Sequence, residues 1–390
     1  MRLTEIQAAL AEQGLDGWLF FDHHERDPLA YRILDFRPPR HVTRRWYYLI
    51  PVQGEPRALV HRVEPGMLDA LPGAKSVYAG WQTLEAGLRT LLEGCARVAM
   101  QYSPRCAVPY VAMVDAGTVE MVRALGVDVV SSADLVQYFE ARWSEAQLES
   151  HMEAGRLVDE VRRNAFARIG ERLRRGEPVS EWDIRQFILE SFDRAALFTD
   201  HGPIVAVNAN ASNPHYEPLA DAHSPIRPGD LVLIDLWAKL RGREDAVYYD
   251  ITWTGFAGTP PGEVVRVFDI VRNARDAAVN RVRQRVAAGE PLAGFEVDDA
   301  ARSYIAGQGY GDYFVHRTGH SIGREVHGAG ANMDNLETHD ERRVIAGTCF
   351  SVEPGIYLPH FGIRSEVNVY VGQREARVTG EIQQQLVAIL

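Results

Sequence analysis

The stretch Pro228-Gly229-Asp230-Leu231-Val232-Leu233-Ile234-Asp235-Leu236 ends an apolar run on a carboxylate. Val247-Tyr248-Tyr249-Asp250-Ile251-Thr252-Trp253-Thr254 places a second carboxylate among aromatic and β-branched neighbours. Both segments read as β-strands, and the polar Arg241-Gly242-Arg243-Glu244-Asp245 between them reads as the tip of a long antiparallel hairpin. A carboxylate buried without a partner costs several kcal/mol or takes up a proton. A single one is readily explained as half of a salt bridge. Here the pattern repeats: Thr348-Cys349-Phe350-Ser351-Val352 leads into Glu353, and the strand-like Gly362 to Val369 contains Glu366. Arg364 is the one matching cation in these segments. A metal ion is the simplest neutraliser of such a set.

The histidines point the same way. His316-Arg317-Thr318-Gly319-His320 runs on to Val326-His327, an H-x3-H-x6-H spacing in a glycine-rich loop. Imidazole is the commonest transition-metal ligand and a ready proton carrier. Four carboxylates and an imidazole exceed the needs of one tetrahedral zinc. Because carboxylates can bridge, the set suits two divalent ions, an arrangement associated with hydrolysis. The H-E-x-x-H pattern of single-zinc peptidases is absent. His23, His24, His41, His61 and His360 read as ordinary loop or core residues.

Length and composition frame this reading. With 390 residues, of which 46% are hydrophobic, the chain is too long for one ordinary core, so two domains are expected, residues 1–140 and 141–390. The first alternates strands and helices, as an α/β domain does. It opens with a helix that Thr4 is placed to cap. The second begins at Ser144, which with Gln147 forms a capping box for a long helix over 145–174. Arg175-Gly176-Glu177-Pro178-Val179 follows that helix, and Ala288-Gly289-Glu290-Pro291-Leu292 follows another 113 residues later. Each leads into a second helical stretch, the mark of a duplicated half-domain. A net charge of −11 disfavours nucleic acid and anionic membranes as partners. Cys95, Cys106 and Cys349 are far apart, which fits a reducing compartment. No apolar signal core or membrane-length run is present, so a cytoplasmic protein is expected.

The order Asp, Asp, His, Glu, Glu resembles that of the pita-bread metallopeptidases: methionine aminopeptidases, Xaa-Pro aminopeptidases and Xaa-Pro dipeptidases (prolidases). Leu231 to Asp235 with Asp250-Ile251-Thr252 resembles their two-aspartate hairpin. Thr318-Gly319-His320-Ser321-Ile322-Gly323 with Val326-His327 resembles their histidine loop. Ser351-Val352-Glu353-Pro354-Gly355-Ile356-Tyr357 and Gly362-Ile363-Arg364-Ser365-Glu366 resemble their glutamate segments. The likeness covers roughly residues 145–390, and the first 140 residues are similar in pattern to the creatinase-type domain of the proline-specific branch. The resemblance implies a pita-bread α+β catalytic domain with a pseudo-twofold duplication, behind an α/β N-terminal domain. It implies Asp235, Asp250, His320, Glu353 and Glu366 as ligands of two divalent ions, manganese being expected and cobalt or zinc the alternatives. Asp250 and Glu366 would bridge them. Glu353 would also shuttle the proton of an attacking metal-bound hydroxide. His316 and His327 would hold the substrate carbonyl and intermediate, and His215 would lie on the substrate side. Arg364 would orient Glu366 or a substrate carboxylate.

Departures from the family pattern bear on substrate choice. The two aspartates are 15 apart, a wider spacing than usual, and Trp237 and Trp253 stand where Gly and Arg are frequent. The expected activity is cleavage of Xaa-Pro dipeptides by a homodimer, with Xaa-Pro aminopeptidase as the alternative. Arg37, Arg40, Arg44 and Arg45 form either a solvated loop or a group that closes over the site, that of the same chain or of a neighbouring subunit. Gly319-His320-Ser321-Ile322-Gly323 also matches the serine-hydrolase elbow, but no helix pattern follows it. A metal-free creatinase-like hydrolase or a non-catalytic binding module would be expected to have lost ligands, and all five are present.

Overall fold

A computed structural model describes residues 2–39 and 41–390; Arg40 of the arginine group lies outside them. Among these residues the chain divides into two compact units, Met1–Glu140 and Ala141–Leu390.

The first unit runs α1 (Leu3–Glu12), β1 (Gly17–Asp22), α2 (Pro28–Ile33), β2 (Trp46–Pro51), β3 (Arg57–His61), β4 (Ala74–Tyr78), α3 (Trp81–Leu91), β5 (Arg97–Met100), α4 (Ala116–Ala124), β6 (Asp128–Ser131) and α5 (Ala133–Val136). Its six strands form one mixed sheet in the order β4-β3-β2-β1-β5-β6. Strands β1 and β2 are buried along their whole length, as central strands covered on both faces must be. Thr4 does not cap α1: the helix already includes Leu3, and Arg2 stands at its N-cap without a side-chain bond.

The second unit opens with α6 (Glu145–Arg174), and here the sequence signal is met in full. Ser144 Oγ accepts from Gln147 N, and Gln147 Oε1 accepts from Ser144 N. Helix α7 (Glu181–Arg194) follows, then β7 (Leu197–Phe198), β8 (Ile204–Val207), β9 (Leu231–Leu240) and β10 (Tyr249–Phe256). The second half repeats the plan with α8 (Gly262–Ala288), α9 (Gly294–Gly307), β11 (Ser321–Ile322), β12 (Cys349–Val352), β13 (Gly355–Leu358), β14 (Phe361–Arg364), β15 (Val367–Val371), β16 (Ala376–Val378) and β17 (Val387–Ala388).

The repeat extends to single bonds. Gly176 and Gly289 end their helices at φ 68° and 69°, where a side chain would be strained. Ile226 N donates to Val179 O ahead of α7, and Val344 N donates to Leu292 O ahead of α9, both at 2.8 Å. The pita-bread architecture follows: two helix pairs backing two sheets, β17-β10-β9-β7 with β8 on β9, antiparallel except for the parallel β10–β17 pair, and the antiparallel β11-β12-β15-β16.

Helix α6 packs its buried face, Ala154, Val158, Val161, Ala165 and Ile169, against Ile234, Leu236, Tyr249 and Ile251 of the hairpin. Each such side chain contributes about 1.5–3 kcal/mol of gross burial, Ala less. Gly155 sits where a Cβ would come within 2.7 Å of the Tyr249 ring, so the close approach of helix to sheet needs glycine. One face of β9 and β10 is thereby spent on the core. The alternate residues, Asp235, Asp250 and Thr252 among them, are left to face the other way.

Candidate metal centre

In the hairpin, Asp235 lies opposite Thr252 and Asp250 opposite Trp237. Asp235 lies mid-strand, with β9 continuing past it to Leu240. Glu353 follows directly on β12, and its N–H donates to Thr318 O at 2.7 Å. Gly319 lets the histidine loop lie on that strand, because a Cβ there would fall 1.9 Å from Ser351 O. His320 then accepts its place from two contacts: its N–H donates to Ser351 Oγ at 3.0 Å, and its O accepts from Ser351 N at 2.9 Å.

Glu366 departs from the sequence reading. The single strand expected over Gly362–Val369 is two strands, and Glu366 stands in the break. Strand β14 pairs with β13 and β15 with β12, so the chain changes sheets at Ser365-Glu366. Glu366 N donates to Thr252 O at 3.1 Å, and Thr252 Oγ1 donates to Glu366 Oε2 at 2.9 Å. The crossing brings this carboxylate to the hairpin.

Three side chains converge: Asp250, His320 and Glu366 each offer a ligand atom, all within 4.8 Å of one another and all buried. His320 Nε2 lies 3.6 Å from Asp250 Oδ2 and 3.3 Å from Glu353 Oε1. Asp235 Oδ2 is held by Arg364 Nη2, while Asp235 Oδ1 and Asp250 Oδ1 are buried with no hydrogen-bond partner. Orphaned buried carboxylate oxygens are costly, and a divalent cation satisfies them. Asp250, His320 and Glu366 form an oxygen-rich donor set that fits a divalent ion, with Glu353 and Asp235 beside them.

The electrostatics agree. Burial, then the charge of Asp235, pushes the Asp250 carboxyl well above its ordinary range. Burial and Asp250 do the same to Glu366. Glu353 rises to about 7, chiefly through burial, against the opposing charge of Arg364. Burial holds His320 well below the usual imidazole range, in the neutral form that ligates metals.

Arg364 is engaged within the protein. It is buried, and its Nε donates to Thr252 Oγ1 at 2.9 Å and its Nη1 to Tyr357 OH at 3.1 Å, in addition to the Asp235 pair. Its hydrogen-bond route to Glu366 runs through Thr252 Oγ1, and its charge is also felt directly at Glu366. His316 has both ring nitrogens engaged: Nδ1 with Arg317 O at 2.7 Å and Nε2 with Tyr357 OH at 2.6 Å. It reaches a substrate only by exchanging its bond to Tyr357. His327 is exposed, its ring 4.3 Å from that of His320. His215 is exposed too, in a turn whose charge is felt at Asp235 and His327.

Tyr357, Thr252 and Arg317 are the residues that sequence reasoning left without a role. Tyr357 and Thr252 stood inside the quoted motifs. Arg317 sits between two assigned positions, and its charge is felt at His316, His320, His327 and Glu353.

The description of metallopeptidase family M24 matches residues 149–373, a span that holds all five candidate ligands. The chain belongs to metallopeptidase family M24. Among relatives of this M24 protein, the Xaa-Pro dipeptidase of Lactobacillus delbrueckii subsp. lactis is 33% identical over 174 residues, 44% of this chain. That match spans only 43% of the relative's length. A probable dipeptidase PepE of Mycobacterium bovis is 27% identical over 398 residues, covering 100% of this chain and 96% of the relative. The crystal structure of dipeptidase PepE from Mycobacterium ulcerans superposes with a TM-score of 0.71 at 24% identity, over 100% of this chain and 97% of that one, and so shares the fold.

Proposed function

We propose that this M24 protein cleaves the peptide bond before proline in Xaa-Pro dipeptides, with two divalent ions held by Asp235, Asp250, His320, Glu353 and Glu366. The observation that carries the reading is the convergence of Asp250, His320 and Glu366 beside carboxylate oxygens that nothing in the protein satisfies. Bound divalent ions would lower the pKa of water and polarise the scissile carbonyl. Manganese is the favoured ion, with cobalt or zinc as alternatives.

The remaining chemistry belongs to the side chains. Glu353, with a pKa near neutrality, accepts the proton of the attacking water and returns it to the leaving nitrogen. His327, beside His320, contacts the substrate carbonyl as negative charge develops on it. Tyr357 O–H lies between His316 and Arg364 and supplies a further donor to that oxygen when His316 gives up its bond. His215 borders the substrate. Arg317, between His316 and Thr318, meets the substrate carboxylate.

The dipeptide specificity draws on the relatives' names, and on residues 1–140 as a creatinase-type domain, which the proline-specific branch carries. Two copies are proposed to assemble as a homodimer in the cytoplasm. Among the described residues no helix is long and apolar enough to cross a membrane. The test is hydrolysis of Ala-Pro, Ala-Pro-Ala and Met-Ala-Ser after metal removal and Mn²⁺ addition. Cleavage of Ala-Pro alone supports the dipeptidase. Release of Ala from Ala-Pro-Ala transfers the reading to an Xaa-Pro aminopeptidase. No cleavage with any divalent ion removes the peptidase reading.

A further inference from the structure

Residues two apart on a strand share a face, and residues directly opposed across an antiparallel pair point the same way. Trp237 is two residues from Asp235 and directly opposite Asp250. It therefore stands on the face of the candidate ligands, one residue pair further along the hairpin. Tyr248, two residues before Asp250, is on that face as well. Ile234, Leu236, Ala238, Tyr249 and Ile251 occupy the opposite face in the core.

Trp237 Nε1 donates to Asp200 Oδ1 at 3.0 Å. Asp200 follows β7 and keeps 39% of its side chain exposed. Its second oxygen lies 3.3 Å from His201 Nδ1, and His201 is itself largely in solvent. The charge of Asp200 is felt at Asp250 and at His327, so this carboxylate stands at the solvent edge of the same centre. It is held in place by an indole rather than neutralised by an arginine. The other charge on the hairpin face, Lys239, is engaged elsewhere, with its ammonium bonded to Arg324 O and 4.8 Å from the Tyr248 ring centre.

We propose that Asp200, fixed by Trp237, binds a cationic side chain on the N-terminal residue of the substrate, so that Arg-Pro and Lys-Pro are favoured over neutral and acidic Xaa-Pro dipeptides. The inference rests on the dipeptidase reading above. A two-residue step along a strand is about 6.7 Å, comparable to the reach of an extended lysine or arginine side chain. The α-ammonium of a bound Xaa-Pro dipeptide is two bonds from the scissile carbonyl carbon and so stays close to the candidate ligands on this face. The tip of its side chain falls near Asp200, with the Trp237 ring available to the same cation. Arg317 supplies positive charge to the His316–Glu353 side of the centre and Asp200 supplies negative charge beside Asp250. The substrate is thereby oriented with its basic end toward Asp200.

The test is kcat/KM for Arg-Pro, Ala-Pro and Glu-Pro, measured on the full chain with Mn²⁺ at pH 8, where histidine at its ordinary pKa is neutral. The expected order is Arg-Pro, Ala-Pro, Glu-Pro. The Arg-Pro to Ala-Pro ratio should be about tenfold, equivalent to about 1.4 kcal/mol from one charge-assisted bond. In Asp200→Asn that ratio falls to about one. In Trp237→Phe, which keeps a ring but loses the N–H, it falls part of the way. A wild-type ratio near one with Ala-Pro still cleaved overturns this inference alone, as does an unchanged ratio in Asp200→Asn. Failure to cleave all three dipeptides overturns the dipeptidase reading and this inference with it.

Discussion

Arg364 and Asp235 form a buried ion pair in which Arg364 Nη2 donates to Asp235 Oδ2, leaving Asp235 Oδ1 without a partner. The pair divides the labour of one carboxylate: one oxygen is tied to the protein and the other is left to the proposed metal centre. Arg364 Nε also lies 3.9 Å from Glu353 Oε2, so a single guanidinium offsets two members of the acidic set.

Breaking that pair from the cationic side strands the carboxylates. Arg364→Met should destabilise the metal-free protein by about 3–5 kcal/mol, the range for removing one partner of a buried pair. Urea unfolding in chelator measures this. Mn²⁺ should restore part of the loss, since it supplies the missing positive charge. A loss below about 1 kcal/mol would show that Asp235 does not depend on Arg364.

Glu353 gives a pH signature. Its pKa rises from 4.5 to about 7 in the folded protein. A raised carboxyl binds its proton more tightly when folded, so its contribution is complete below pH 4.5 and is lost as the pH climbs through about 7. Glu353→Gln cannot lose a proton. In chelator it should match wild type near pH 4 and become more stable by about 3 kcal/mol at pH 8. His316 and His320 carry the opposite pH dependence, but they are common to both proteins and cancel in the difference. Equal stability at pH 8 would contradict the shift.

The same substitution should remove turnover. With the proton acceptor gone, Glu353→Gln should lower kcat on Ala-Pro by about 10²–10⁴-fold while KM changes little. A variant within tenfold of wild type would assign the proton transfer to another group.

Asp250 is buried and faces His320, Glu353 and Glu366. Asp250→Asn keeps the shape and removes the charge. Its Mn²⁺ affinity by calorimetry should fall more than about 100-fold, beyond the 10–100-fold typical of residues that only support a ligand. Unchanged affinity would take Asp250 out of the centre.

How much of this was readable in advance follows from what each signal depends on. Carboxylates within apolar strands betray themselves because burial forbids them, which is why Asp235, Asp250, Glu353 and Glu366 stand out before any fold is known. The Ser144–Gln147 cap is equally legible, since both bonds lie within four residues. Thr4 misleads because a good capping residue one position inside a helix looks the same as one at its start. The break at Ser365-Glu366 depends on which sheet each flank joins, a property of distant strands. The partners of Arg364 come from β9, β10 and β13, and Asp200 meets Trp237 only because β7 pairs with β9. Such contacts leave no local trace.

The measurement that reaches the central claim most directly is a Mn²⁺ titration of chelator-treated protein, followed in parallel by calorimetry and by Ala-Pro hydrolysis. Binding of two ions per chain, with cleavage rising from background as the sites fill and absent in Asp250→Asn, is the predicted result. Cleavage that survives chelation, or metal binding that never brings cleavage of any Xaa-Pro peptide, would contradict it.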